Sequence, residues 1–511
     1  MLPKAREGVN ARDLGCPPSP SQIRRIWPSA LAPLRHRASL ALRRGASPGA
    51  CPASRRGSAP GGRGPAGAAV PRKVCPPVAQ LPESLPIEPR GPLNARVQVP
   101  GSKSITNRAL LIAALADGET TLAGPLASDD TDVMRDSLTT LGAQFDTRGD
   151  PWAVVGTGGR LRSPSNALYV QNSGTTARFL TAAACLAPGP VVIDGNPRMR
   201  ERPIVHLVEA LTTLGADLSI EGEKGCPPVR AAGGGLPGGP GRIDGRQSSQ
   251  FTSAILLAAP YAERDVELSF LDGELVSRPY VETTLAIMRD FGAQAGWVEK
   301  TDAHGGGDCI RVSAGLPYRA RAYGIEPDAS SAAYPFCAAA IAGGSVSVDG
   351  IPPNTLQADF RILELLEQMG CKVVRQADRV TVRGPTGALR SLGEVDMNAF
   401  PDAALAYAVV ALFADGPTRI KNVWNLRIKE TDRLAALETE LRKLGARADA
   451  DRDSLYIQPG PLHGAEIDTY DDHRMAMAFS LAGLRIPGVV IRDPGCVSKT
   501  WPHYFDVFRG L

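Results

Sequence analysis

The chain has 511 residues, enough for more than one hydrophobic core, and its 43% apolar and 22% charged content is ordinary for a folded globular protein. Its net charge of +4 is unevenly held: residues 1–80 carry 14 Lys/Arg against Glu7 and Asp13, so the rest of the chain is net acidic, which argues against a basic nucleic-acid binder. The nine cysteines are odd in number and form no Cys-x-x-Cys pair, which excludes an obvious disulfide framework or zinc site and fits a reducing compartment.

In chain order, residues 1–80 are rich in Pro, Gly, Ala and Arg with little hydrophobic periodicity. Such a stretch cannot bury enough apolar surface to offset its chain entropy. A disordered basic extension is therefore expected over residues 1–87. Its Arg-rich, acid-poor composition suits a plastid-type transit peptide, although it is less Ser-rich than such peptides are. A misassigned start accounts for it equally well. A cytoplasmic location is expected, with the plastid as the alternative if the extension is a transit peptide.

From about residue 88 the sequence repeats. Six segments close on an apolar residue followed by glycine, at Gly142, Gly215, Gly292, Gly370, Gly445 and, more weakly, Gly510. These glycines lie 73, 77, 78, 75 and 65 residues apart, and each suits the left-handed residue that ends a helix. The six units open on polar clusters at Ser102, Asn172, Ser248, Asp328, Asp402 and Asp471, residue types that cap helix N-termini. A second helix follows in each; in the fifth unit its apolar stripe is Leu434, Leu437, Leu441 and Leu444. The longest clean apolar run, Ala403–Ala414, has 12 residues, too short to cross a bilayer, and is read as a buried helix. Repeated strand–helix–strand–helix units imply an α/β (α+β) fold. Several helix N-termini converging on one region make an anion-binding arrangement.

The polar openings carry the chemistry. The first reads Pro100-Gly101-Ser102-Lys103-Ser104-Ile105-Thr106-Asn107-Arg108, with two cations at a helix start. It is not a P-loop, because Ser102 precedes Lys103 where that motif needs glycine. The second is Asn172-Ser173-Gly174-Thr175-Thr176-Ala177-Arg178, where Gly174 allows close approach of a ligand to the backbone. Arg198, Arg200 and Arg202 follow beside a turn and read either as surface charge or as a clamp on an acidic ligand. Gln247-Ser248-Ser249-Gln250 offers hydroxyl and amide groups to a phosphate or polyol. Asn425, Lys429 and Arg433, spaced at four, would share one helix face beside Glu430. Asp402, Asp472-His473-Arg474 and Ser498-Lys499-Thr500 complete the set. Together these residues point to two anionic ligands and two carboxylates for proton transfer.

Pro-Gly-Ser-Lys-Ser-x-x-Asn-Arg, Asn-x-Gly-Thr-x-x-Arg, Pro-Arg-Met-Arg-Glu-Arg-Pro, Lys-Glu-Thr-Asp-Arg and Asp-His-Arg-Met-Ala-Met, in this order, resemble the 3-phosphoshikimate 1-carboxyvinyltransferase (EPSP synthase) family over nearly all of residues 88–511. The resemblance implies a two-domain inverse α/β barrel of six βαβαββ repeats. One domain would span 102–326, and the other 88–101 plus 327–511, with the site in the cleft between them. It implies a shikimate 3-phosphate site of Lys103, Ser104, Arg108, Ser248, Ser249, Gln250, Ser277, Tyr280, Asp402, Asn425 and Lys429. The phosphoenolpyruvate site would comprise Lys103, Gly174, Arg202, Gln250, Arg433, Arg474 and Lys499. Catalytic roles fall to Asp402, Glu430 and Lys103, in an addition–elimination that needs no metal or organic cofactor. The partners implied are these two small molecules, with no nucleic acid or membrane, and a monomer is expected. Two residues depart from the family pattern, Ser173 for the commoner Ala and Phe179 for a frequent Pro. Both are expected near the phosphoenolpyruvate pocket, so the resemblance does not carry sensitivity to glyphosate with it. Two rivals are weaker. The transferase acting on UDP-N-acetylglucosamine has a Gly-Gly-Cys-Ala loop that none of the cysteines here matches, and a silent phosphometabolite binder would not need both Asp402 and Glu430.

Overall fold

The computed structural model describes residues 81–299 and 308–511. Most of the expected extension lies outside them, as do Cys16, Cys51 and Cys75. One part of that expectation is corrected: Ser84–Ile87 is a strand paired antiparallel with Val489–Arg492. Its four residues are too short and too Pro-flanked to show a period, and only the distant partner reveals the strand.

Among the described residues six small sheets recur, five of them built alike. In the sheet nearest the start, Ala322–Gly324 pairs parallel with Glu119–Ala123, which pairs antiparallel with Trp152–Val155, itself antiparallel to Gln144–Asp146. The same parallel–antiparallel–antiparallel order is found in Leu93–Val97, Gly344–Asp349, Arg379–Arg383 and Lys372–Arg375. The sixth sheet has three strands, Glu466–Ile467, Val489–Arg492 and Ser84–Ile87. Five of the six repeat glycines have positive φ, from 88° at Gly215 to 116° at Gly142, as helix closure in the left-handed region requires. The sixth, Gly510, has φ −88° and closes nothing in that way.

The apolar residues form two separate cores. One is drawn from residues 105–325, the other from residues 87–99 and 332–508. Each has buried helices at its centre, Lys103–Leu115 and Gly174–Ala184 in one, Ala329–Ala342 and His473–Gly483 in the other. The apolar run at 403–414 yields the helix Ala404–Ala411, buried along its whole length. The chain passes between the cores twice, and the two passages lie together: Gly101 bridges Pro327, Ser102 N donates to Glu326 O at 2.8 Å and Asp328 N to Pro100 O at 2.8 Å. Gly101 has no room for a side chain, since a Cβ would overlap the Gly124 carbonyl. No described helix is long and apolar enough to cross a membrane, and the six described cysteines are buried without disulfides.

Candidate functional site

The polar openings bring their helices to one cavity. It is lined by Lys103, Ser104 and Arg108; by Gly174 and Arg202; by Ser248, Ser249, Gln250, Ser277 and Tyr280; and by Asp402, Asn425, Lys429, Glu430, Arg433 and Arg474. Lys499 stands beside this wall, buried, donating to the Asn172 carbonyl at 3.1 Å. The helix mouths differ in detail from the sequence pattern. Ser248, Asp328 and Asp472 cap with their side chains, accepting from the backbone N–H two residues on. Ser173 rather than Asn172 stands at the N-cap of its helix, and Asp472 rather than Asp471. Asp402 caps nothing: it sits in the short 3-10 turn Pro401–Ala403, and its carboxylate serves cations instead.

The expectation that Asn425, Lys429 and Arg433 share one helix face is wrong. A 3-10 turn covers Trp424–Ile428, Lys429 is extended at φ −86°, ψ −155°, and a new helix starts at Arg433 with Asp432 as its cap. The Asp432 side chain takes the Ala435 N–H, and Arg427 pairs with the same carboxylate at 2.9 Å. A polar cap ends one element and begins another where spacing alone suggested continuity.

Arg433 is the centre of a buried ion network. It grips Asp472 with two bonds of 2.7 and 3.1 Å, donates to Asp402 at 3.1 Å, and lies 2.9 Å from Glu430 Oε2. That last contact lacks hydrogen-bond alignment, leaving Glu430 Oε2 buried without a hydrogen bond. Arg474 donates to the other Asp402 oxygen at 3.0 Å, and Lys429 lies 3.4 Å from Asp402. Burial pushes the Asp402 carboxyl up, but Arg474, Lys429 and Arg433 together hold it well below the usual carboxylate range. Glu430 is likewise raised by burial and pulled far down by Arg433, Arg202, Lys499 and Lys103.

Arg108 and Arg202 are treated differently. Arg108 donates only to neutral oxygens, those of Thr284, Ser104, Ser253 and the Tyr280 carbonyl, and burial lowers it to about 10. Phe179 supports it from behind, its ring centroid 5.3 Å from the guanidinium carbon. Arg202 donates to the Asn172 carbonyl and side-chain oxygen, both at 3.0 Å, and its Nε is buried without a partner. A Cβ at Gly174 would displace the Arg202 and Arg178 guanidinium groups. Ser173 shares a 2.7 Å hydrogen bond with Thr176.

The arginine turn is not a three-armed clamp. Arg202 alone of the three lines the cavity; Arg200 pairs with Asp194, and Arg198 reaches the far wall. Sequence reasoning also missed carboxylates. Asp130 lines the cavity and holds Lys103 at 3.0 Å, and Asp328 and Ser330 line it from the opening of their helix. Asp359 accepts from the Tyr280 hydroxyl at 2.9 Å and from Ser330. Burial, helped by Asp402, raises Asp359 to about 6. Asp130 could have been suspected from the Ser-Asp-Asp-Thr-Asp run, whereas Asp359 has no local signal. Among the described residues no group of three His, Cys, Asp or Glu could hold a metal.

A cavity with cations from both cores and four carboxylates, Asp130, Asp328, Asp402 and Glu430, is a setting for chemistry between anions, and relatives match most of the chain around it. A sequence model of EPSP synthase (3-phosphoshikimate 1-carboxyvinyltransferase) matches residues 87–508. The chain belongs to the EPSP synthase family. The 3-phosphoshikimate 1-carboxyvinyltransferase of Vibrio campbellii is 46% identical over 434 residues, 84% of this chain and 99% of that one. The protein of the same name from Photobacterium profundum is also 46% identical, over the same shares. The EPSP synthase structure from Acinetobacter baumannii matches with a TM-score of 0.67 at 26% identity, covering 84% of this chain and 98% of that chain. As a member of the EPSP synthase family the chain is an enolpyruvyl-transferring enzyme of the shikimate pathway, which leads to the aromatic amino acids.

Proposed function

We propose that the cavity binds phosphoenolpyruvate and shikimate 3-phosphate side by side and joins them by addition and elimination. The observation that carries this reading is the pair of buried arginines, Arg108 and Arg202, which face the cavity with neutral partners only, across from Asp402 and Glu430. Buried cations with no hydrogen-bonded counter-ion are costly, and bound anions supply what is missing.

Shikimate 3-phosphate would rest on Lys103, Ser104, Arg108, Ser248, Ser249, Gln250, Ser277, Tyr280, Asp402, Asn425 and Lys429. Phosphoenolpyruvate would take Lys103, Gly174, Arg202, Gln250, Arg433, Arg474 and Lys499. The 5-hydroxyl oxygen attacks C2 of phosphoenolpyruvate while C3 accepts a proton, giving a tetrahedral intermediate. Phosphate then leaves C2 as C3 loses a proton, and the enol ether remains. Glu430 exchanges the proton at C3, Asp402 orients and deprotonates the hydroxyl, and Lys103 neutralises the departing phosphate. Without ligands, the surrounding cations make Asp402 and Glu430 poor bases. Incoming carboxylate and phosphate groups compete for those cations, so ligand binding itself restores basicity to both.

The repeated sheet pattern and the two cores support the finer reading of an inverse α/β barrel pair, with domains at 102–326 and at 88–101 plus 327–511. The paired passages at Gly101 and Pro327 are then the hinge. The protein is proposed to act as a monomer in the cytoplasm. The test is direct: the protein is mixed with both substrates and phosphate release is followed. Release that needs both substrates and accompanies the enol ether product supports the reading; release from phosphoenolpyruvate alone, or none, overturns it.

A further inference from the structure

The three arginines of one turn diverge, and Arg198 alone of them reaches the opposite wall. Its Nε donates to the Glu430 carbonyl at 3.0 Å and its Nη2 to the Lys429 carbonyl at 3.1 Å, across 231 to 232 residues of sequence and from one core's side to the other's. Its remaining terminal nitrogen donates to Glu201 at 2.9 Å. The two carbonyls lie between a 3-10 turn and the next helix, with Lys429 extended. Among the described residues, neither accepts from a backbone N–H. Backbone carbonyls in such a place need a donor, and here it comes from the opposite wall. The base of the loop is tied within its own half by Arg427 and Asp432; its tip is tied by Arg198.

We propose that Arg198 is a positioning residue that couples the approach of the two halves to the placement of Glu430. The inference rests on the reading of Glu430 as the group exchanging a proton at C3. A guanidinium donating through two nitrogens to successive carbonyls fixes the two peptides on either side of the Glu430 Cα, which a point charge cannot do. The Glu430 side chain leaves the backbone at that Cα, so its carboxylate is aimed only while Arg198 holds. The loop is held by the half that carries Arg202, so Glu430 is set for proton transfer when that half is in place. Arg200, two residues away, bonds Asp194 in its own half and serves as the internal control.

The test compares Arg198→Ala, Arg198→Lys and Arg200→Ala in the full chain, with kcat, both KM values, shikimate 3-phosphate binding and thermal unfolding. Misplacing a catalytic group by about 1 Å costs roughly 100-fold in rate. Arg198→Ala is expected to lower kcat by about 10- to 100-fold with KM values within about threefold and an unchanged unfolding midpoint. Arg198→Lys should fall between, and Arg200→Ala should match wild type. Adding Arg198→Ala to Glu430→Gln should cost little beyond Glu430→Gln alone, since both remove one function. Wild-type kcat in Arg198→Ala, equal losses in Arg198→Ala and Arg200→Ala, or losses that multiply in the double variant overturn the proposal. Near-normal turnover in Glu430→Gln alone instead sinks the proton-transfer reading on which it stands, so the two failures are told apart. If Arg198→Ala does not fold, the Arg198→Lys comparison and its double variant decide in the same way.

Discussion

Arg108 and Arg202, on the side of the core from residues 105–325, are buried against neutral oxygens, whereas Arg433 and Arg474, on the other side, are buried against carboxylates. One wall of the cavity therefore holds arginines with no hydrogen-bonded counter-ion, Arg202 being offset only through space by Glu430 and Asp130, and the other holds an ion-paired network. An arginine surrounded by carboxylates supports the fold around it; an arginine facing only hydroxyls and carbonyls costs stability until an anion arrives. The difference separates residues whose loss should be felt by the empty protein from residues whose loss should be felt by its ligands.

Arg433→Ala is the severest test. It strips one partner each from Asp472, Asp402 and Glu430 together, and unfolding free energy in denaturant should drop by about 3–5 kcal/mol. A drop below about 1 kcal/mol would mean that the network is not balanced by Arg433. Glu430→Gln keeps the volume and removes the charge. Turnover should fall by roughly 100-fold or more while shikimate 3-phosphate binding changes little, a split readable from steady-state kinetics beside a binding titration.

Asp359 is the exception in the ion-paired wall, a carboxyl raised to about 6 from an ordinary 3.8. The folded state therefore holds its proton more tightly than the unfolded state does. The stability this group contributes is complete below about pH 4 and is lost as pH climbs through 6, on the order of 2–3 kcal/mol. Asp402, displaced in the opposite sense, has its contribution in place above its ordinary value and does not vary over this window. Asp359→Asn should flatten the loss measured by urea unfolding at pH 4, 5, 6 and 7; an unchanged slope would assign the pH dependence elsewhere. Arg202→Ala, on the opposite wall, should weaken phosphoenolpyruvate binding by about 1.5–3 kcal/mol and leave unfolding unaltered or slightly improved. Equal weakening for both ligands would show that the division of the cavity between them is drawn in the wrong place.

What could be read from the sequence follows from which interactions are local. The repeat was legible because a helix that ends in the left-handed region calls for glycine, as at Gly142 and Gly370. The cavity residues at the helix mouths were legible because an anion site at a helix start must put Lys103 and Gly174 within a few residues of the cap. Partners supplied by the other half left no such trace. Asp359 for Tyr280 and the Lys429 and Glu430 carbonyls for Arg198 are tertiary facts. Spacing misled at Asn425–Arg433 because Asp432 restarts the helix, and the strand Ser84–Ile87 is defined only by its pairing with Val489–Arg492.

That pairing has a consequence for synthesis on the ribosome. Leu93–Val97 is made early, but its parallel partner Gly344–Asp349 emerges roughly 250 residues later, and Ser84–Ile87 waits about 400 residues for Val489–Arg492. At about 5–20 residues per second, these strands stay unpaired for roughly 10 to 80 seconds. The core from residues 105–325 can close during that interval, since its own sheets need nothing from outside it. The leading strands meanwhile trail as open edges, the part of the nascent chain most exposed to mispairing and most in need of a chaperone.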